Sequence, residues 1–200
     1  MPKGRPKGFN EDTVLEKAMQ TFWREGYSGA SMSVLLKDMG ISRQSLYDTY
    51  GDKRTLFLKT LKLYISRDVD QVVSILSGPP PVRPQILQII AHFKTMSSSD
   101  EPRGCFIVNS LTNMKDDDPE LASILNDAIE SIRNAMEKAF ASAIQRGEME
   151  SHQSSSELAN GLLNSLIGLA ATSKANSMSL NTEHTVSFIS NMMLPPAKSA

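Results

Sequence analysis

The sequence predicts an all-α fold. Apolar residues recur at helical spacing along most of the chain, without convincing strand alternation or an internal repeat, and each apolar run is bounded by a cap or by a Gly or Pro stop. A further observation divides the chain. Residues 1–67 carry 12 Lys+Arg against 7 Asp+Glu, a balance of +5, whereas residues 68–200 carry 9 against 15, a balance of −6. Only the first third has the charge to face phosphate, although a solvated basic face has the same composition.

Taken in order, Lys3-Gly4-Arg5-Pro6-Lys7 is too rich in Gly and Pro for a helix and too polar to be buried, which leaves a basic arm. Asn10 can cap the first helix, with Glu11 and Asp12 against its positive end and a Phe9–Val14 staple over the cap. Val14, Leu15, Ala18, Met19, Phe22 and Trp23 give that helix one apolar face ending near Gly26, and the stripe makes Phe22 and Trp23 core residues. A second helix spans about 31–39, with Val34, Leu35 and Leu36 apolar, and Gly40 supplies a turn. Ile41 is expected to pack in the corner. Ser42 caps a third helix that carries Arg43, Gln44, Ser45, Tyr47 and Asp48. Two short helices about a glycine turn are in helix-turn-helix order.

A long helix is expected over 53–76 through Leu56, Phe57, Leu61, Tyr64, Ile65, Val69, Val72 and Val73, stopped by Gly78 and three prolines. Further helices are expected over 83–95, 104–114 and 119–146, with a polar loop at 97–101. Asp118 and Pro119 mark the last of these as cap and first residue. Ser154 and Glu157 form a capping-box signature for a helix reaching about residue 173, and Asn181 opens a final helix ended by Pro195-Pro196. For Asp116 to Asp118 a solvated helix start outweighs metal ligation. The single cysteine, Cys105, excludes an intrachain disulfide, and the N-terminal residues contain no apolar stretch resembling a signal peptide. A reducing, cytoplasmic setting is the expectation. No run approaches the roughly 18 apolar residues of a membrane helix. The most apolar stretch, residues 158–171, is interrupted by Asn160, Asn164 and Ser165.

Gly26-Tyr27, Gly40-Ile41-Ser42, Leu46-Tyr47, Tyr50 and Lys53 stand in the order and spacing of TetR-like bacterial transcriptional regulators, and the chain resembles that family. The likeness is close over about the first 65 residues and extends beyond them as a helical pattern of suitable length. Leu36 and Met39 are larger than the alanines often found there, and Ala30 replaces a frequent hydroxyl residue. The resemblance implies an N-terminal three-helix helix-turn-helix domain, 1–55, joined by the long helix to a helical effector-binding and dimerisation domain, 56–200. It implies a regulator, a repressor in the expected reading, that binds a palindromic double-stranded DNA operator as a homodimer and is released by a small-molecule effector.

In helix-turn-helix geometry the start of the second helix meets base edges, which puts Arg43, Gln44 and Ser45 deepest. Arg suits guanine and Gln suits adenine, and Gln44 is the expected specificity residue. Tyr47 is assigned a contact and Tyr50 a structural role, while Ser31, Ser42 and Lys53, the last beside helix amides, complete the DNA-facing set. Arg5, in the arm, either enters a narrow A·T minor groove or belongs to a disordered tail.

Leu158, Leu162, Leu166 and Leu169 form a stripe beside the small residues Gly161, Ser165 and Gly168. The resemblance implies that the last two long helices pair with their copies, with Phe188, Ile189, Met192 and Met193 completing the interface; burial within one protomer is the alternative. Phe93, Met96, Phe106, Met114, Met136 and Phe140 are candidates to line an effector region, against a plain core role. Cys105, after Arg103-Gly104 at a helix start, is either an electrophile sensor or a buried inert thiol. No cofactor or metal is called for. The three histidines, His92, His152 and His184, are far apart in sequence with no motif around them, which disfavours an enzyme. A helical interaction module is the remaining alternative, and it leaves the polar set of the third helix unexplained.

Overall fold

The first four helices each begin on a side chain that the sequence offers locally. In the computed structural model, which describes residues 9–97, 103–113, 118–173 and 182–193, α1 (Glu11–Gly29) starts at Asn10, whose side-chain oxygen accepts from the Thr13 amide at 3.0 Å. Ser31 caps α2 (Met32–Met39) by accepting from Val34, and Ser42 caps α3 (Arg43–Tyr50) by accepting from Ser45 at 3.1 Å. Asp52 accepts from the Thr55 amide at 2.7 Å at the start of α4 (Lys53–Tyr64). Each bond satisfies one of the amides that a helix start leaves without an internal partner.

Two glycines shape the turns. At Gly26 α1 is kinked, with φ 71° and ψ 168°, a region that side chains essentially forbid. Gly40 is left-handed, φ 70° and ψ 30°, and donates its N–H to the Leu36 carbonyl at 3.0 Å, which ends α2 and releases the chain into α3.

α1 packs on α2 and α4. Phe22 is fully buried there, edge-on to Phe57 at 5.1 Å and stacked with Tyr27 at 6.2 Å. Leu35, Leu46, Leu56 and Leu61 are also fully buried, and full burial of such a side chain stabilises by about 1.5–3 kcal/mol. Trp23 is half-buried with its ring edge-on to Tyr64 at 5.2 Å, a packing role as expected. Tyr50 is buried too. Its hydroxyl donates to the Glu11 carbonyl at 2.8 Å and so ties the end of α3 to the start of α1. Burial first, then the charges of Glu11 and Asp12, push its pKa up to about 12. A polar link joins α1 to α2: the buried Thr21 hydroxyl shares its proton between the Lys17 carbonyl and the Asp38 carboxylate, each at 2.9 Å, and Arg24 donates to Asp38 at 2.8 Å.

Residues 53–76 are helical, but not as the single α-helix expected. A π-helical segment, Ile65–Val69, separates α4 from α5 (Asp70–Leu76). The buried residues Leu61, Tyr64, Val69, Val72 and Leu76 contain one five-residue step, from Tyr64 to Val69, and the wider π turn absorbs that extra residue. The chain forms two compact units, Met1–Tyr64 and Ile65–Ala200. All of α4 lies in the first unit, whereas the division expected after residue 55 falls inside that helix.

The second unit contains α6 (Val82–Ser97), α7 (Phe106–Thr112), α8 (Pro119–Gln145), α9 (Ser155–Ser173) and α10 (Thr182–Met193). α9 is central to it, packing on α6, α7, α8 and α10, while α5 packs on α6 and α8. Ile86, Leu125, Met136, Phe140, Leu162 and Leu166 are fully buried. Asp118 caps α8 by accepting from Leu121 at 3.0 Å, and Ser154 and Glu157 exchange the reciprocal bonds of a capping box at α9. α6 is capped from far away in sequence: Glu148 accepts from the Val82 amide at 2.9 Å. Arg146 first, then that amide, hold the Glu148 carboxyl below its ordinary pKa. No strand occurs among the described residues.

Candidate DNA-reading surface and effector region

An eight-residue helix has room for one polar face, and α3 uses it fully. Leu46 and Tyr50 point into the core, and Arg43, Gln44, Tyr47 and Asp48 are exposed on the other side, at the spacing of neighbours on one helical face. Ser42 is exposed at the cap. Ser45 differs from expectation: it is half-buried, its amide donates to Ser42 and its hydroxyl lies 2.9 Å from the Ser42 hydroxyl, so it serves the cap rather than extending the outward set. Asp48 joins the outward set beside Gln44, its Oδ1 accepting from Gln44 Nε2 at 2.7 Å. The sequence signal for that pair was the four-residue Gln–Asp spacing on a helix. Tyr47 is 47 % exposed and Tyr50 is buried, which separates the two tyrosines as expected.

Ser31 is exposed at the α2 cap, with its hydroxyl 2.8 Å from that of Ser33. Lys53 is half-buried, its ammonium 4.7 Å from the centre of the Tyr27 ring, and desolvation lowers its pKa. The adjoining helix start, expected to favour an external anion, already holds the Asp52 carboxylate. The Thr55 amide is the leading cause that keeps Asp52 below its ordinary pKa. Arg5 lies outside the described residues.

In the second unit Phe93, Cys105, Phe106, Met136 and Phe140 are all buried, on or beside α6, α7 and α8, and α8 packs against both α6 and α7. Cys105 is the residue before α7, in extended conformation, and its thiol makes no capping bond. The Met96 side chain and Met114 lie outside the described residues, as do Asp116, Asp117, Asn181, the prolines at 195 and 196 and the side chains of Met192 and Met193.

The leucine stripe expected at a dimer interface is covered within the chain. Leu158, Leu162, Leu166 and Leu169 are at most 5 % exposed, and Ile189 is 2 % exposed, because α9 sits among α6, α7, α8 and α10. Periodicity gave the stripe but not the surface that covers it. α9 leaves Asn160, Gly161, Asn164, Gly168 and Ala171 outward beyond its first turn, with Ser165 half-buried and its hydroxyl donating to the Gly161 carbonyl, and α10 exposes Glu183, His184, Ser187, Asn191 and Phe188, the last at 64 % exposure. Among the described residues no cluster of three or more His, Cys, Asp or Glu could hold a metal ion, and no helix is long and apolar enough to cross a membrane.

A short capped helix with a polar outward face, following an amphipathic helix across a glycine turn, is the arrangement of a DNA-binding helix-turn-helix protein. Comparison with known proteins narrows the class. The family described as "Bacterial regulatory proteins, tetR family" matches residues 14–60, and "Tetracyclin repressor-like, C-terminal domain" matches residues 82–188. The chain is 34% identical over 173 residues to the uncharacterized HTH-type transcriptional regulator YezE of Bacillus subtilis (strain 168), covering 86% of this chain and 89% of that protein. It is 28% identical to the HTH-type transcriptional repressor ComR of Escherichia coli (strain K12), over 80% of this chain and 77% of that one. Among solved structures, a cysteine mutant of the TetR family regulator CifR complexed with 26-bp double-strand operator DNA superposes with a TM-score of 0.82 at 26% identity, covering 96% of this chain and 100% of that chain. The chain belongs to the TetR family and is a DNA-binding transcriptional regulator.

Proposed function

We propose that the protein is a homodimeric repressor that holds a palindromic operator through α3 and lets go when a small molecule occupies its second unit. The observation that carries this reading is the outward set on α3, Arg43, Gln44, Tyr47 and Asp48, opposite the buried Leu46 and Tyr50. Arg43 and Gln44 meet base edges and Tyr47 the sugar-phosphate wall. Ser31, Ser42, Ser45 and Lys53 flank them, and Arg5 reaches a groove from the arm. One α3 spans only a few base pairs, so a two-fold pair reading two half-sites supplies the specificity a genome demands. The small-residue face of α9 and the exposed Phe188 of α10 support pairing of two copies through those helices. The Phe and Met side chains of α6, α7 and α8 favour an apolar effector. Its binding changes the separation of the two α3 helices, so that they no longer fit successive major grooves.

Duplexes enriched from a randomised pool supply the operator for the test. Gln44→Ala is expected to lose about 1–3 kcal/mol on that operator with little change on random duplex. Equal losses on both remove Gln44 from the base-reading set. Sedimentation of Phe188→Glu tests the pairing, with a monomer expected. For the signal, a thiol-reactive electrophile lowers operator affinity of the wild type and leaves Cys105→Ser unaffected if the thiol is the trigger. An equal response in both leaves a reversible apolar ligand.

A further inference from the structure

Asp48 is out of place on a surface that approaches phosphate. It is exposed, its charge repels every duplex alike, and its carboxylate faces a neutral amide rather than a cation: Gln44 Nε2 donates to Oδ1 at 2.7 Å. An ionised carboxylate only accepts, so the amide atom that faces it is the nitrogen. A glutamine amide free to turn can offer either end to a base. Here one N–H is committed along the helix, and the carbonyl oxygen is thereby held on the other side of the amide. Gln44 then keeps its carbonyl oxygen and one further N–H for a base, beside the remaining lone pairs of the Asp48 carboxylate one helical turn on, so that acceptors predominate on this part of the outward face of α3. In the major groove adenine N6 and cytosine N4 donate, whereas guanine O6 and N7 and thymine O4 only accept. The Gln44 oxygen and the Asp48 carboxylate attract the first two, the remaining Gln44 N–H suits N7 of adenine, and the carboxylate charge disfavours the acceptor edges of guanine and thymine.

We propose that Asp48 is a positioning residue that locks the Gln44 amide, so that α3 selects an adenine or cytosine amino group at one position of each half-site. The inference rests on the DNA-reading role proposed above for α3. It also explains the charge: attraction to any duplex is weakened, and discrimination between duplexes is gained.

The test is enrichment of duplexes from a randomised pool by the full-length wild type, Asp48→Asn, Asp48→Glu and Gln44→Ala, with affinity for random duplex and thermal midpoint measured alongside. Wild type is expected to prefer adenine or cytosine over guanine and thymine by about tenfold at one half-site position. Asp48→Asn, of the same shape but able to donate, admits guanine or thymine at that position, and Gln44→Ala relaxes the same position. Asp48→Asn also binds random duplex more tightly, because one negative charge per protomer is gone, while its thermal midpoint stays that of wild type. Asp48→Glu keeps the acceptor and retains the preference, at least in part. A helix that merely needed Asp48 for folding would lose its midpoint and all DNA binding together, which overturns the inference. It is equally overturned if Asp48→Asn leaves every base preference intact, or relaxes a position other than the one Gln44→Ala relaxes. A wild type that enriches no sequence overturns the DNA-reading proposal itself, and this inference with it.

Discussion

In the first unit the helix-turn-helix pair, α2 and α3, consists of eight-residue helices whose starts, stops and outward faces are specified within a few residues. In the second unit the long helices α8 and α9 have faces specified by what lies against them. α3 has eight residues, and its cap, Ser42, its stop, Gly51, and its four outward side chains all fall inside ten consecutive positions. α9 has nineteen residues, and whether Leu162 or Gly161 faces outward depends on α6, α7, α8 and α10 packing around it. A surface that must meet a regular partner such as a DNA groove calls for side chains held by local rules. A surface that meets an apolar ligand or a second copy calls for shape, which tertiary packing supplies.

The largest expected effect tests whether the two units are energetically separate. Phe22→Ala and Phe140→Ala each remove a fully buried ring, at about 3–5 kcal/mol. Amide hydrogen exchange is expected to show Phe22→Ala stripping protection from α1 to α4 and abolishing DNA binding while α8 and α9 stay protected, with the reverse pattern for Phe140→Ala. Protection lost throughout the chain from either change breaks the comparison.

A pair of glycines sharpens it. Gly26→Ala forces a side chain into φ 71° and ψ 168°, at about 1–3 kcal/mol, although nothing stands within 4 Å of the added Cβ. Gly168 lies inside α9 without a positive φ and with equally open space, so Gly168→Ala is expected to stabilise the protomer by about 0.5–1 kcal/mol. Urea midpoints should therefore move in opposite directions. If Gly168→Ala also raises the dimer dissociation constant, the missing side chain serves the partner copy rather than its own chain.

Caps come next. Ser42→Ala and Ser154→Ala each remove a helix-start acceptor, at about 1 kcal/mol. Only the first is expected to weaken operator binding, since α3 has two turns and frays from its cap, whereas α9 is held by packing along its length. Equal effects on DNA binding would deny α3 its special dependence on local capping.

The smallest effect is on pH. Arg24 first, then Thr21, hold the Asp38 carboxyl below its ordinary pKa, so this link stabilises the first unit above the unfolded aspartate value and is lost as pH falls through the lower folded one. Its partial exposure keeps the contribution below about 1 kcal/mol. Acid unfolding of α1 and α2, followed by tryptophan fluorescence of Trp23, should be shallower in Asp38→Asn than in wild type. An unchanged slope would leave the Thr21–Asp38–Arg24 link without energetic weight.

The amino-acid sequence by itself determined the all-α class, the caps at Asn10, Ser42, Asp118 and Ser154, the turn at Gly40 and the outward placement of Arg43, Gln44 and Tyr47. All of these depend on neighbours within one or two helical turns. Tertiary structure decided what depends on contacts distant in sequence. It placed a π segment at Ile65–Val69 inside an apparently continuous helix, capped α6 with Glu148, tied Tyr50 to the Glu11 carbonyl and covered the α9 leucines within the chain. Asp48 lies between the two cases: its spacing from Gln44 is legible in the sequence, but its place on the outward face and its bond to the amide nitrogen depend on the burial of Leu46 and Tyr50 opposite. Periodicity fixes which residues share a face. It cannot say which of several apolar surfaces will cover that face, because burial is a property of the packed whole.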